Sequence, residues 1–158
     1  MPDSPDEYVV RRAGVADAPL IARQRALMFR DMGSISADES ELLRKAAEPW
    51  LAGLLSHGNY IGWFVMHGDS VVAGGGILVW ELGPYPGCYR VGRWGHIVNL
   101  YTEPVHRRRG LGRRLMNTML DWCKATGMDH VTLSASDEGR PLYESLGFVP
   151  TTDMKLLK

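Results

Sequence analysis

The amino-acid sequence predicts an α+β fold: two N-terminal helices, a mixed and mostly antiparallel sheet of six or seven strands, and two later helices. Three observations carry this. Apolar residues recur at helical spacing through the first part of the chain, and after Gly58 the period shortens to β-rich runs. An apolar segment, His96–Thr102, breaks at Pro104, crosses a turn of arginines and glycines, and continues into a helical pattern, which predicts a right-handed parallel crossover from His96 to Ser134. A length of 158 residues with 45% hydrophobic content suits one domain over 1–158 with a core of useful size.

Residues 1–7 are polar and proline-bearing and predict a loose arm before a strand at Tyr8–Arg12. Asp17 can cap a helix to about Asp31, with Pro19 tolerated in its first turn and Ile21, Leu27 and Met28 among its buried residues. Gly33 ends it. Ser36 and Glu39 have capping-box spacing before a second helix carrying Leu42, Leu43, Ala46 and Ala47, which Pro49 is expected to kink or split.

Tyr60–Met66 and Val71–Val79 read as a hairpin joined at His67–Ser70, with Gly74, Gly75 and Gly76 marking a flexible or bulged strand. Leu82–Gly95, rich in glycine, proline and aromatic residues, reads either as a long hairpin loop or as a mobile wall of a binding site. The helix from Gly110 to about Ala125 shows Leu111, Leu115, Met119 and Trp122 on one face. His130–Ser134 is the next strand, Ser136 or Asp137 can cap a short helix holding Tyr143, Gly147 can end it, and Phe148–Leu157 is expected to return as the last strand or strands.

The formal charge is zero, but residues 1–81 hold 11 acids and 7 bases and residues 82–158 hold 7 and 11, so the second half suits a polyanionic ligand. Cys88 and Cys123 have no Cys-x-x-Cys partner, the five histidines are scattered and His-Glu-x-x-His does not occur, so no metal is expected. No secretory pattern and no membrane-spanning apolar run are visible, which gives the cytoplasm as the expected compartment and no membrane partner.

Chemistry concentrates in Asn99–Met116. Gly110 and Gly112 let a ligand approach successive backbone N–H groups, which are also the unpaired donors of a starting helix. With Arg107, Arg108, Arg109, Arg113 and Arg114 around them, a diphosphate fits. This stretch resembles the Arg/Gln-x-x-Gly-x-Gly/Ala motif of the GNAT superfamily of N-acetyltransferases, with Arg107 first and Gly110 and Gly112 at the glycine positions. Leu142-Tyr143 through Gly147-Phe148 resembles the same superfamily's Leu-Tyr-x-x-x-Gly-Phe signature.

The resemblance implies a GNAT-like three-layer fold in which the strands at His96–Thr102 and His130–Ser134 splay apart around the pantetheine of acetyl-coenzyme A. It implies cofactor contacts from Leu100, Tyr101, Thr102, Arg107, Arg108, Arg109, Gly110, Leu111, Gly112, Arg113, Ser134 and Tyr143. Acetyl transfer to a primary amine would use Tyr143 as general acid toward the thiolate and the Leu100 backbone N–H against the oxyanion. Asn99 stands where many relatives carry a carboxylate, which leaves Glu103, His96 and Glu81 as candidate bases. Phe29, Met32, Tyr85, Trp94 and Asn99 are expected to line the site of a small-molecule or peptide amine, and a homodimer is plausible from family habit. A coenzyme-A-binding sensor or scaffold without catalysis is one alternative. A nucleic-acid-binding module is another, disfavoured because the arginines are confined to one turn, so no nucleic-acid partner is expected.

Overall fold

A computed structural model describes residues 7–158, and the arm expected over 1–7 lies, Glu7 apart, outside the described residues. One sheet holds β1 (Tyr8–Arg12), β2 (Tyr60–His67), β3 (Ser70–Leu82), β4 (Gly92–Thr102) and β5 (His130–Leu133) in that order. The first three junctions are antiparallel and β4–β5 is parallel. The long helices are α1 (Ala18–Asp31), α2 (Ala37–His57) and α3 (Leu111–Ala125), followed by the short α4 (Arg140–Ser145).

Strand alternation places the helices on opposite faces. Phe64 and Tyr60 pack with Ile21, Ala22, Ala47 and Leu51 of α1 and α2. Trp63 and Val65 of the same strand pack with Leu111, Leu115, Met116 and Met119 of α3. The result is the three layers that the resemblance implies. Cys123 is buried in the α3 layer, where desolvation pushes its thiol up from the ordinary value, as suits a packed side chain.

The Ser36–Glu39 capping box forms, with Ser36 N–H donating to Glu39 Oε2 at 2.7 Å and Glu39 N–H to Ser36 Oγ at 3.2 Å. Asp17 does not cap α1. Its carboxylate instead accepts Gly14 N–H at 2.8 Å and both terminal nitrogens of Arg11 at 2.9 Å, closing the turn that precedes the helix. Helix α2 is not split at Pro49, which sits inside it. Lys45, whose carbonyl loses its partner, is on the exposed face, where water can replace the missing bond.

Among the described residues the sheet has five strands rather than six or seven. Residues 149–158 are exposed and carry no strand. Pro150 lacks an N–H to give, and β5 offers only a four-residue edge. The β3–β4 hairpin is also longer than expected, because β4 begins at Gly92 and pairs back to Leu82.

Candidate active site

Two backbone features open a gap between β4 and β5. The parallel pairing runs from Trp94↔His130 to Ile97↔Leu133 and stops there. Two residues on, Asn99 has φ 61°, and the β3–β4 register jumps from Gly76↔Val98 to Gly74↔Tyr101. Asn99 and Leu100 therefore have no facing partner on β3, which is a bulge of the kind that re-aims a strand.

Beyond the bulge lies a cleft of about 770 Å³. Its α1 wall carries Arg25, Met28, Phe29 and Met32. Its β4 wall runs from His96 to Thr102. Its far side is built by the loop before α3 and by Leu133, Ser134, Leu142 and Tyr143.

The arginine–glycine loop lies at the mouth. Gly110 has φ +76°, and a Cβ there would meet nothing within 4 Å, so glycine serves the backbone conformation and not close packing. The first bond of the turn runs from Arg114 N–H to Gly110 C=O at 3.0 Å. The N–H groups of Leu111, Gly112 and Arg113 precede it and belong to the unpaired donors of the helix start. Arg107 braces the loop, donating from Nε to Thr102 C=O at 2.9 Å and pairing with Asp31 at 2.6 Å. Arg113 donates to Ser145 Oγ at 2.9 Å, tying α3 to α4.

Tyr143 enters the cleft from α4, with its ring against Phe148 at 6.4 Å between centroids and against Gly139, where a Cβ would press on the ring edge. Its Oη makes no hydrogen bond to any described residue. Burial raises its pKa, so the phenol keeps its proton.

On β4, His96 Nδ1 lies 2.7 Å from Thr132 Oγ1, which also accepts the Trp94 indole N–H at 2.7 Å. Desolvation lowers the His96 pKa, so the ring is neutral at pH 7. Asn99 is 3% exposed, and its amide orientation follows from its neighbours. Arg25 can only donate, so Oδ1 takes its N–H at 2.8 Å, and Nδ2 donates to Tyr60 Oη at 3.1 Å.

The cleft thus brings together Phe29, Met32, His96, Asn99, Leu100, Tyr101, Thr102, Arg107, Arg108, Gly110, Leu111, Gly112, Arg113, Ser134 and Tyr143. Arg109, Trp94, Tyr85 and Glu103 do not line it. Tyr85 is in the β3–β4 loop, its Oη 3.4 Å from Asp129 C=O, and Trp94 packs on Trp80 and His130. Glu103 is held by Arg23 at 2.7 Å over a separate shallow hollow. Sequence reasoning missed Arg25 and Tyr60. The available signal was a charge at position 25 beside the apolar stripe Ala18, Ile21, Ala22 and Ala26. Among the described residues no group of three or more His, Cys, Asp or Glu could hold a metal, and no helix is long and apolar enough to cross a membrane.

The site is thus a sheet parted beyond a parallel strand pair, with an arginine–glycine loop opening a helix beside it. Residues 25–148 match the model described as the Acetyltransferase (GNAT) family, and the chain belongs to that family. It is similar to the crystal structure of a GCN5-related N-acetyltransferase from Ralstonia eutropha JMP134, at 34% identity and TM-score 0.87 over 96% of this chain and 98% of that one. It shares the fold of a predicted acetyltransferase with acetyl-CoA from Clostridium acetobutylicum, at 24% identity and TM-score 0.82 over 96% of each chain. A curated relative, the glucosamine 6-phosphate N-acetyltransferase of Trypanosoma brucei brucei, is 35% identical over 54 residues, which is 34% of this chain and 37% of the relative.

Proposed function

We propose that this chain transfers an acetyl group from acetyl-coenzyme A to a primary amine by direct attack within a ternary complex. The observation that carries the reading is a single cleft lined by Leu111–Arg113 at the start of α3, by Asn99 and Leu100 of the β4 bulge, and by Tyr143, whose hydroxyl bonds to no described residue. The diphosphate of the donor is assigned to the N–H groups of the loop, with Arg108 adding charge. Its pantetheine is assigned to the gap between β4 and β5.

The amine nitrogen forms a bond to the thioester carbonyl carbon, and the oxyanion is stabilised by the Leu100 N–H. The tetrahedral intermediate then expels the coenzyme A thiolate, which takes a proton from Tyr143. The attacking amine loses a proton on the way. Glu103 is turned away from the cleft, so His96 is the candidate acceptor, directly or through water. Its neutral ring can donate Nδ1–H to Thr132 and keep the Nε2 lone pair for the incoming proton.

Calorimetric titration of acetyl-coenzyme A into the wild type and into Gly110→Glu, together with thiol release over a panel of amines, tests the reading. Micromolar binding lost in the variant, with amine-dependent thiol release, is the expected result. Binding without turnover of any amine would favour the catalytically silent coenzyme-A-binding alternative. Absence of binding would overturn both.

A further inference from the structure

The α1 wall of the cleft contains a cation that forms no ion pair with an acid among the described residues. Arg25 is half-buried. Its guanidinium carbon lies 5.0 Å from the Phe29 ring centre and 5.5 Å from that of Trp50, and its polar contact is the single bond to Asn99 Oδ1 at 2.8 Å. A guanidinium has five N–H donors, so most of its hydrogen-bonding capacity is unused by the described residues, and Arg25 is part of the cleft lining.

Two acids of the surrounding elements are committed to other arginines, and Glu138, which also lines the cleft, makes no ion pair with Arg25. Asp31 holds Arg107 at 2.6 Å and Glu103 holds Arg23 at 2.7 Å. Among the described residues no Asp or Glu pairs with Arg25. Desolvation lowers its pKa, the cost expected of a charge kept partly out of water without a partner. The rings favour the cation, but they supply no acceptor for its remaining N–H groups.

The position matters as much as the charge. Arg25 is hydrogen-bonded to the bulge residue Asn99, beside the Leu100 backbone to which the reaction is assigned. Asn99 is in turn fixed by Tyr60, so the guanidinium is held at one place on the wall.

Resting on the acyl-transfer reading above, we infer that the acceptor is a primary amine bearing a carboxylate, an amino acid or a short amino acid derivative, and that Arg25 anchors this carboxylate while the amine reaches Leu100. The planar fork of the guanidinium matches a carboxylate in bidentate geometry. One unneutralised positive charge also matches one carboxylate, whereas a phosphate monoester brings about −1.5 to −2.

The test is calorimetry on the protein saturated with coenzyme A, using free amino acids, their amides and glucosamine 6-phosphate, with wild type, Arg25→Met and Arg25→Lys. The expected result is an amino acid that binds at least about tenfold more tightly than its amide, and that loses about 10- to 100-fold in Arg25→Met, the range for a hydrogen bond to a charged group. Coenzyme A binding stays unchanged in both variants, and Arg25→Lys recovers part of the loss. Thermal melting verifies that the variants fold.

Equal binding of acid and amide, no binding by any amino acid, or an Arg25→Met protein that binds acids as the wild type does would overturn the inference. Preferential binding of glucosamine 6-phosphate would overturn the carboxylate assignment in favour of phosphate. The two readings fail separately. Arg25-dependent binding of acids without acetyl transfer sinks the transferase reading alone, and equal transfer to acids and amides sinks the anchor alone.

Discussion

Tyr60 Oη accepts a hydrogen bond from Asn99 Nδ2 at 3.1 Å, and the Tyr60 ring reaches it across β3 at Gly76, where an added Cβ would strike the phenol. Strand β4 is thereby tied to β2 through a glycine window. Burial pushes the Tyr60 pKa up to about 12, so the hydroxyl stays protonated wherever the protein is folded and active.

Closing that window is expected to be costly. Gly76→Ala forces a methyl group against the Tyr60 ring and should destabilise the fold by about 1–3 kcal/mol, an overpacking cost measurable by urea denaturation. Combining it with Tyr60→Leu should cost less than the two single substitutions summed. Strict additivity would show that the ring does not occupy the space above Gly76.

The two loop glycines separate conformation from access. Gly110→Ala places a side chain at φ +76° and should lower stability by about 1 kcal/mol through the left-handed backbone. A Cβ at Gly112 would come only to 3.7 Å from Leu142, so Gly112→Ala should melt within a few degrees of the wild type. Gly112→Val should nevertheless weaken coenzyme A binding by about tenfold or more, because the added bulk stands at the proposed diphosphate site. Unaltered affinity in Gly112→Val would move the diphosphate elsewhere.

Tyr143→Phe keeps the ring that packs on Phe148 and removes only the hydroxyl. The expected outcome is a fall in kcat of about 10²-fold, the lower range for a general acid, with the KM for acetyl-coenzyme A within about twofold of the wild type. Because the Tyr143 pKa is raised, the wild type should show no alkaline loss of activity from this group below about pH 10. An alkaline limb below pH 9 that vanishes in Tyr143→Phe would contradict the direction of that shift.

His96 predicts a pH dependence of stability. Its folded pKa lies below the ordinary value of about 6.5, so in the window beneath that value the unfolded chain binds a proton that the folded chain does not. Stability is therefore lost as pH falls from about 6.5, until the folded ring itself protonates. Urea midpoints at pH 7 and pH 5 should differ less in His96→Asn than in the wild type. In the same variant, kcat should drop by about 10²-fold if His96 takes the amine proton.

Local sequence determined the parts of this protein whose physics is local. The Ser36–Glu39 box starts α2 because both partners lie within one turn, and the positions Leu111, Leu115 and Met119 bury one face of α3 because they repeat at the helical period. The Arg107–Gly112 turn could be read as a helix start with free backbone donors, the basis of the proposed diphosphate site, because those donors belong to the same few residues. Contacts between distant residues were decided only by the tertiary structure. Arg25 meets Asn99 across 74 positions, and Asn99 meets Tyr60 across 39. The left-handed backbone of Asn99 depends on how β3 and β4 lose register, and the outward turn of Glu103 on Arg23 waiting 80 residues away. A run of apolar residues at the end of the chain also carries no record of whether a strand edge exists to receive it. Periodicity and capping are written within a few residues of sequence, whereas the lining of a cleft is a sum over side chains that only folding makes neighbours.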